Sequence, residues 1–125
     1  MTAVKVVDAS ALAAVLFAEP AGEAAAARLR DGSLVAPSLL AYEITSVCLA
    51  KIRANPAQRV AFLTAFANWN QMGIELVAVD QDGVLSLAEQ TGLSSYDASY
   101  LWLARRFGAE LVTLDRRLAY ASAAR

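Results

Sequence analysis

Short apolar segments rich in Val and Leu alternate with longer Ala-rich segments along the chain, and this alternation constrains the fold most strongly. Bounded apolar runs of this kind predict strands, and the longer segments predict helices. The predicted strands span residues 4–7, 34–36, 74–79 and 110–114. Strands that are separated by one or two helices form a parallel sheet with helices on both faces. The predicted fold class is therefore α/β, a three-layer α/β/α sandwich around a central parallel sheet of four strands.

Capping and helix-breaking residues set the limits of the predicted helices. Ser38 is expected to cap a long helix and Ser94 or Ser95 a later one, because short hydroxyl side chains accept from free helix N–H groups. The predicted helices span residues 10–18, 21–30, 38–54, 57–72, 82–91 and 95–107, with a last one opened by Asp115. No repeat or linker interrupts this series, so the sequence predicts a single domain over residues 1–125.

Composition excludes several classes of protein. Of 125 residues, 58% are hydrophobic and 18% are charged, which rules out intrinsic disorder. The single Cys48 cannot form a disulfide within the chain, as is typical of an intracellular protein. The longest charge-free run, residues 60–74, is too short and too polar to span a bilayer. We therefore expect a cytoplasmic protein without a membrane segment.

The charged residues exclude several kinds of site. The chain has no His, which removes Ser-His-Asp and Cys-His nucleophile systems and imidazole metal sites. Its net charge is −1, whereas domains that hold nucleic acid by bulk charge are basic. If this chain binds a polyanion, something other than bulk charge must hold it.

Three aspartates occupy positions where a parallel sheet places its ligands. Asp8 and Asp115 directly follow the first and last predicted strands, and Asp97 lies in the first turn of a helix. If those two strands are neighbours, their carboxylates project from the same edge of the sheet. Each aspartate also has a structural explanation as a helix cap, and Ser94-x-x-Asp97 fits a capping box.

Glu43 is the acid that is hardest to explain structurally. Its neighbours on the predicted helix are Leu39, Leu40 and Val47, so it lies on the stripe that faces the core. A buried carboxylate without a partner is costly, and no Lys or Arg lies within one helical turn of it. A divalent cation shared with the three aspartates would resolve this cost, and carboxylate oxygens suit Mg²⁺ or Mn²⁺.

Five segments of the sequence contain between them the four acids and their flanking residues: VVDASAL at residues 6–12, EP at 19–20, PSLLAYE at 37–43, LSSYDASYLWLA at 93–104 and LVTLDRRL at 111–118. Together they resemble the PIN-domain nucleases, and among these the VapC-type toxins of toxin–antitoxin pairs. They occur in the family's order and with similar spacing over nearly the whole chain. The resemblance implies a PIN-like sheet, in which many relatives add a fifth strand after the last helix, whereas this sequence ends there.

The resemblance also implies a function and a set of site residues. It implies a Mg²⁺- or Mn²⁺-dependent endoribonuclease that cuts RNA when its antitoxin is absent. The metal-ligand and catalytic roles fall on Asp8, Glu43, Asp97 and Asp115.

Four further residues are expected to support this site. Thr113 shares a strand face with Asp115 and is expected to orient a carboxylate. Ser10 is expected to act similarly, with helix capping as the alternative. Arg116 and Arg117 are candidates for contacts to RNA phosphates, with a solvated helix face as the alternative.

The expected partners are an RNA substrate, a cognate antitoxin and a second copy of the chain in a homodimer. The apolar stripe formed by Phe62, Phe66 and Trp69 is a candidate partner surface, although such stripes are usually core. Exposed parts of the first helices, around Leu12, Leu16 and Leu29, are another candidate.

Other functions on this kind of fold remain open. They include a PIN-fold nuclease for RNA processing outside toxin–antitoxin systems and a catalytically silent binding module. Phosphoreceiver and haloacid-dehalogenase-like chemistries are disfavoured, because both need a Lys after a late strand and the only lysines are Lys5 and Lys51.

Overall fold

The computed structural model describes residues 3–124, and four parallel strands form its central sheet. The strands are β1 (Ala3–Val7), β2 (Gly32–Pro37), β3 (Glu75–Val77) and β4 (Glu110–Val112). Their order in the sheet is β3-β2-β1-β4. The chain therefore builds β2 and β3 on one side of β1 and returns to add β4 on the other side. The strand order reverses between β1 and β4, which is where parallel α/β sheets bind their ligands.

Seven α-helices within residues 3–124 flank this sheet, which confirms the predicted fold class. They are α1 (Ala9–Leu16), α2 (Gly22–Leu29), α3 (Leu39–Ala54), α4 (Arg59–Ala67), α5 (Gln81–Thr91), α6 (Ser95–Phe107) and α7 (Arg116–Ala123). Among the described residues, no helix combines the length and apolar character needed to cross a membrane.

The helix predicted over residues 57–72 is α-helical only in its middle. A 3₁₀ turn at Pro56–Gln58 precedes α4, because proline suits the first position of a helix. A second 3₁₀ turn at Asn68–Gln71 follows α4, where the Asn side chains compete with helical hydrogen bonds. The capping role expected for Ser38 is also wrong, since its backbone is already helical and its side chain makes no capping hydrogen bond.

β4 is shorter than predicted because side chains replace strand pairing after Val112. The carbonyl of Val112 accepts from the backbone N–H of Asp8 at 3.2 Å. Two residues later, the backbone N–H of Leu114 donates to Ser10 Oγ at 2.9 Å instead of to a strand. The chain therefore leaves the sheet at this point and crosses its carboxyl edge.

One apolar core lies between the sheet and its helices. The central strand β1 contributes Val6 and Val7, both fully buried. The helices add further buried side chains: Leu12, Leu40, Ile44, Leu101, Leu103 and Leu118. Helix α2 begins very close to α1, since a Cβ on Gly22 would lie 2.4 Å from the Ala14 carbonyl oxygen. Only glycine permits this approach.

Part of the apolar surface that the sequence suggested for a partner lies in this core. Leu12 is fully buried and Leu29 is nearly so, so the exposure expected for these two residues is wrong, whereas Leu16 is half-buried. Phe66 and Trp69 are half-buried and pack against the core.

Candidate active site

Asp8 lies at the carboxyl end of the central strand, at the point where the strand order reverses. It directly follows β1 and caps α1, with Oδ1 accepting from the backbone N–H of Ala11 at 3.0 Å. Its side chain is only 5% exposed. The capping role and a functional role are therefore not alternatives, because the cap fixes the direction of the carboxylate.

Two hydroxyl groups hold the carboxylate of Asp8 from either side. Ser10 Oγ donates to Asp8 Oδ1 at 2.7 Å, and Thr113 Oγ1 donates to Asp8 Oδ2. Each hydroxyl also accepts a backbone N–H from the segment that follows β4. Leu114 N–H donates to Ser10, and Asp115 N–H donates to Thr113 at 3.0 Å. The hydroxyls predicted to support the site thus join the ends of β1 and β4.

Asp115 stands at the beginning of α7, one residue beyond this junction. It caps the helix, with Oδ1 accepting from the backbone N–H of Leu118 at 2.9 Å. Its side chain is exposed to solvent. Leu118 is fully buried, so α7 is anchored in the core directly behind the carboxylate.

Glu43 and Asp97 approach the same edge from α3 and α6. Both are half-buried. The hydroxyl of Tyr100 on α6 donates to Glu43 Oε1, and Tyr100 itself is buried. Asp97 lies in the first turn of α6, where its backbone N–H donates to the capping Ser94 Oγ at 3.0 Å.

The pKa values show that the four carboxylates lie within electrostatic reach of one another. Burial raises the pKa of Asp8 more than its hydrogen bonds lower it, and the charge of Asp115 raises it further. Burial also raises the pKa of Glu43, against the hydrogen bond from Tyr100, and the charges of Asp97 and Asp8 add to this rise.

Asp97 shows the same pattern. Burial is the largest cause of its raised pKa, followed by the charges of Asp115 and Asp8, while Arg117 lowers it. The ion pairs within residues 3–124 are Arg28 with Glu110 and Lys51 with Glu19, so none of the four acids is in a salt bridge there. The four acids therefore form one negatively charged cluster with neutral hydrogen-bond donors around it.

The sequence profile of the PIN domain matches residues 5–124. This chain belongs to the PIN domain family. The crystal structure of PAE2754 from Pyrobaculum aerophilum is similar to it, with a TM-score of 0.79 and 27% sequence identity. That similarity covers 97% of this chain and 81% of the other. No curated protein matches the chain. PIN domains are in general metal-dependent nucleases, which implies a nuclease here.

The acids of this PIN domain have the chemistry of a divalent-metal site, but their side chains are not gathered around one point. No group of three or more carboxylate or thiol side chains within residues 3–124 has the arrangement of metal ligands. Instead, Glu43 is turned to Tyr100 and Asp115 to the N-terminus of α7. The donor set still fits a hard cation, because it supplies only carboxylate oxygens and a negative charge that no ion pair offsets. Among the described residues, Glu43 and Asp115 each use one carboxylate oxygen in these hydrogen bonds, so the other oxygen of each is left for a cation.

The two arginines of the PIN domain that were expected to contact RNA are exposed on the first turn of α7. Arg117 donates to the Gly92 carbonyl at 3.0 Å, and its charge lowers the pKa of Asp97. Arg117 is therefore held close to the acid cluster, whereas Arg116 next to it faces solvent.

The partner of Glu43 was not predicted from the sequence. Tyr100 lies three residues after Asp97 on the same helix. Its position did carry a signal, because a buried Tyr needs a partner for its hydroxyl and the sequence left Glu43 without one.

Proposed function

We propose that this PIN domain is a divalent-metal-dependent endoribonuclease, with Mg²⁺ or Mn²⁺ as the metal. Asp8, Glu43, Asp97 and Asp115 hold the metal and form the catalytic site. The observation that carries the proposal is the cluster itself: at the reversal of strand order, neighbouring carboxylates raise the pKa values of Asp8, Glu43 and Asp97. The ion pairs within residues 3–124 include none of the four acids. Clustered carboxylates repel one another, and a bound cation removes that repulsion.

The chain's own residues prepare the carboxylates for this role. When bound, a divalent ion activates water and stabilises the negative charge of phosphodiester hydrolysis. Thr113 and Ser10 fix the orientation of the Asp8 carboxylate. Among the described residues, Asp8 Oδ2 accepts only from Thr113, so one lone pair of this oxygen stays free. Tyr100 places Glu43 at the rim of the cluster, and Arg117 supplies a cation for the RNA backbone.

Cleavage assays with the purified protein test this proposal. We expect it to cut a structured RNA only when Mg²⁺ or Mn²⁺ is present, and Asp8→Asn to lose orders of magnitude in rate, because the reacting groups lose their geometry. Asp82→Asn is the matched control, since Asp82 is an exposed aspartate in the first turn of α5, outside the cluster. Cleavage that persists in EDTA or in Asp8→Asn would contradict the proposal.

We further propose that this nuclease is the toxin of a toxin–antitoxin pair and a homodimer when free. The sequence resemblance supports the toxin role, and α4 supports a partner surface. None of the residues of α4 is buried, and Val60 on it is 74% exposed. Leu63 on the same helix is also exposed, so the outer face of α4 is apolar and accessible.

An antitoxin would have to neutralise the acid cluster. We expect it to carry a cation, most naturally Arg, because guanidinium pairs with two carboxylate oxygens. Co-expression with the product of a small reading frame next to the gene should then give a stable complex without ribonuclease activity. A complex that cuts RNA as fast as the free chain would contradict inhibition at the site, and a 13.2 kDa species in light scattering would contradict the homodimer.

A further inference from the structure

Two exposed tyrosines flank the acid cluster, and each directly precedes one of its acids. Tyr42 precedes Glu43 on α3 and is 75% exposed; Tyr96 precedes Asp97 on α6 and is 61% exposed. Both line one cavity of about 490 Å³, together with Glu43 itself. Neither ring takes part in the core, so the folding of the domain does not explain their positions.

A second cavity shares the lining residues Leu39 and Tyr96 with the first. Its volume is about 280 Å³, and it opens at the carboxyl ends of β2 and β3. Apolar side chains such as Pro37 and Val77 form part of its wall. Polar side chains at the beginnings of three helices complete it: Ser38, Gln81 and Ser95. Tyr96 therefore lines both the cavity beside the acids and a cavity with hydrogen-bond donors and acceptors.

We propose that Tyr42 and Tyr96 stack on an unpaired RNA base next to the scissile phosphate, and that the second cavity reads the edge of the adjacent base. This inference rests on the proposed ribonuclease function. Exposed aromatic rings stack on bases of single-stranded RNA, while hydroxyl and amide groups bond to base edges. Apolar side chains such as Pro37 and Val77 suit the faces of a base, and Ser38, Gln81 and Ser95 can each donate and accept.

The same geometry selects unpaired RNA over a duplex. In a duplex both faces of each base are covered by neighbours, so the tyrosine rings have no face on which to stack. The acid cluster adds no affinity for the RNA backbone, so stacking supplies binding that bulk charge does not. The tyrosines therefore act as positioning residues that fix which phosphate meets the carboxylates.

Binding can be measured apart from cleavage in an Asp8→Asn background. The probe is a single-stranded RNA oligonucleotide containing 2-aminopurine, whose fluorescence falls when the base stacks. We expect Tyr96→Ala and Tyr42→Ala to weaken binding by about ten-fold or more and to reduce the quenching. Tyr96→Phe should stay within about two-fold, because stacking needs the ring and not the hydroxyl.

Tyr120→Ala is the matched control, since Tyr120 is 80% exposed on α7 and lines neither of these two cavities. The inference is overturned if Tyr42→Ala and Tyr96→Ala bind as tightly as Tyr120→Ala does. It is equally overturned if the protein with both tyrosines intact does not quench the probe. If Tyr42→Ala or Tyr96→Ala abolishes a dimer in light scattering and leaves the quenching unchanged, the tyrosines form a protein contact. That result also overturns the inference.

Cleavage assays separate this inference from the proposed function. In the active protein, Tyr96→Ala should raise KM and Gln81→Ala should change the nucleotide preference around the cut. One outcome is that the protein cuts RNA with metal while these variants keep the KM and cut sites of the unsubstituted chain. That outcome supports the nuclease function and overturns the base-stacking inference. The other outcome is that the protein cuts no RNA but still stacks the probe through its tyrosines. That outcome contradicts only the proposed nuclease function.

Discussion

Replacing Thr113 with Val should destabilise the protein and reveal how the acid cluster is held together. The hydroxyl of Thr113 donates to Asp8 Oδ2 and accepts from the backbone N–H of Asp115. Thr113 is only 4% exposed, so water cannot replace these bonds easily. Val keeps the branched shape and removes both hydrogen bonds together.

The magnitude follows from these two bonds. A hydrogen bond to a charged group contributes about 1.5–3 kcal/mol, and one between neutral groups about 1 kcal/mol. Burial of the new methyl group offsets about 0.8 kcal/mol. We therefore expect Thr113→Val to lose about 2–3 kcal/mol of unfolding free energy, which corresponds to a fall in Tm of roughly 8–12 °C for a domain of this size.

This loss should depend on pH with a defined sign. Burial raises the pKa of Asp8 in the folded protein, and the hydrogen bond from Thr113 lowers it. Without that hydrogen bond the folded pKa rises further above its unfolded value of 3.8. At neutral pH the carboxylate of Asp8 is charged in the unfolded state. Folding of Thr113→Val then buries this charge without the hydrogen bond from Thr113, so the full loss of unfolding free energy is observed. Below the unfolded pKa both states are protonated, so the charge-dependent part of the loss disappears.

Urea denaturation followed by circular dichroism, in EDTA, measures this at about pH 7 and again near pH 3, below the unfolded pKa of Asp8. Thr45→Val is the control, because Thr45 is exposed and its hydroxyl donates only within α3, to the Ala41 carbonyl. It should change stability by no more than about 0.5 kcal/mol. A Thr113→Val loss as small as that of the control, or equal at both pH values, would refute the reasoning.

Further substitutions test the surroundings of the cluster. Tyr100→Phe removes the donor to Glu43 and should cost about 1–3 kcal/mol in urea denaturation. Asp97→Asn should raise the Tm in EDTA at neutral pH, because the folded state disfavours the charged form, and it should abolish most of the Tm increase that Mg²⁺ or Mn²⁺ gives the unsubstituted protein. Leu118→Ala should cost about 2–5 kcal/mol by the same denaturation, because its side chain is fully buried. Burial raises the pKa of the Cys48 thiol, so disulfide reagents should label it slowly until the protein unfolds.

The fold was predictable because its signals are local. The valines of β1 and the apolar runs of the other strands indicate buried parallel strands, and a parallel order follows from the helices between them. Element ends were less predictable, because tertiary contacts decide them. β4 ends where Ser10, from more than a hundred residues earlier, takes the N–H of Leu114. No pattern within β4 contains that contact.

The members of the candidate site were predictable to a similar extent. Each aspartate stands beside a strand end or a helix start, so topology alone brings the acids to one edge of the sheet. The pairing of Glu43 with Tyr100 was not predictable, because it depends on how α3 and α6 pack, 57 residues apart. The capping of α7 by Asp115 is instead a local contact, and the sequence predicted it as the structural explanation for this aspartate.

Neutral donors, and not cations, hold Asp8 and Glu43, and this has a physical consequence. A Lys or Arg beside Asp8 would offset its buried charge, but it would also repel any divalent cation and occupy the carboxylate oxygens. The hydroxyls of Thr113 and Ser10 stabilise the carboxylate and leave its charge in place. Tyr100 does the same for Glu43. The site at the edge of the sheet therefore stays negatively charged, and its repulsion lowers stability when no cation is bound. Binding of a divalent cation would remove that repulsion, which suits a metal-dependent nuclease.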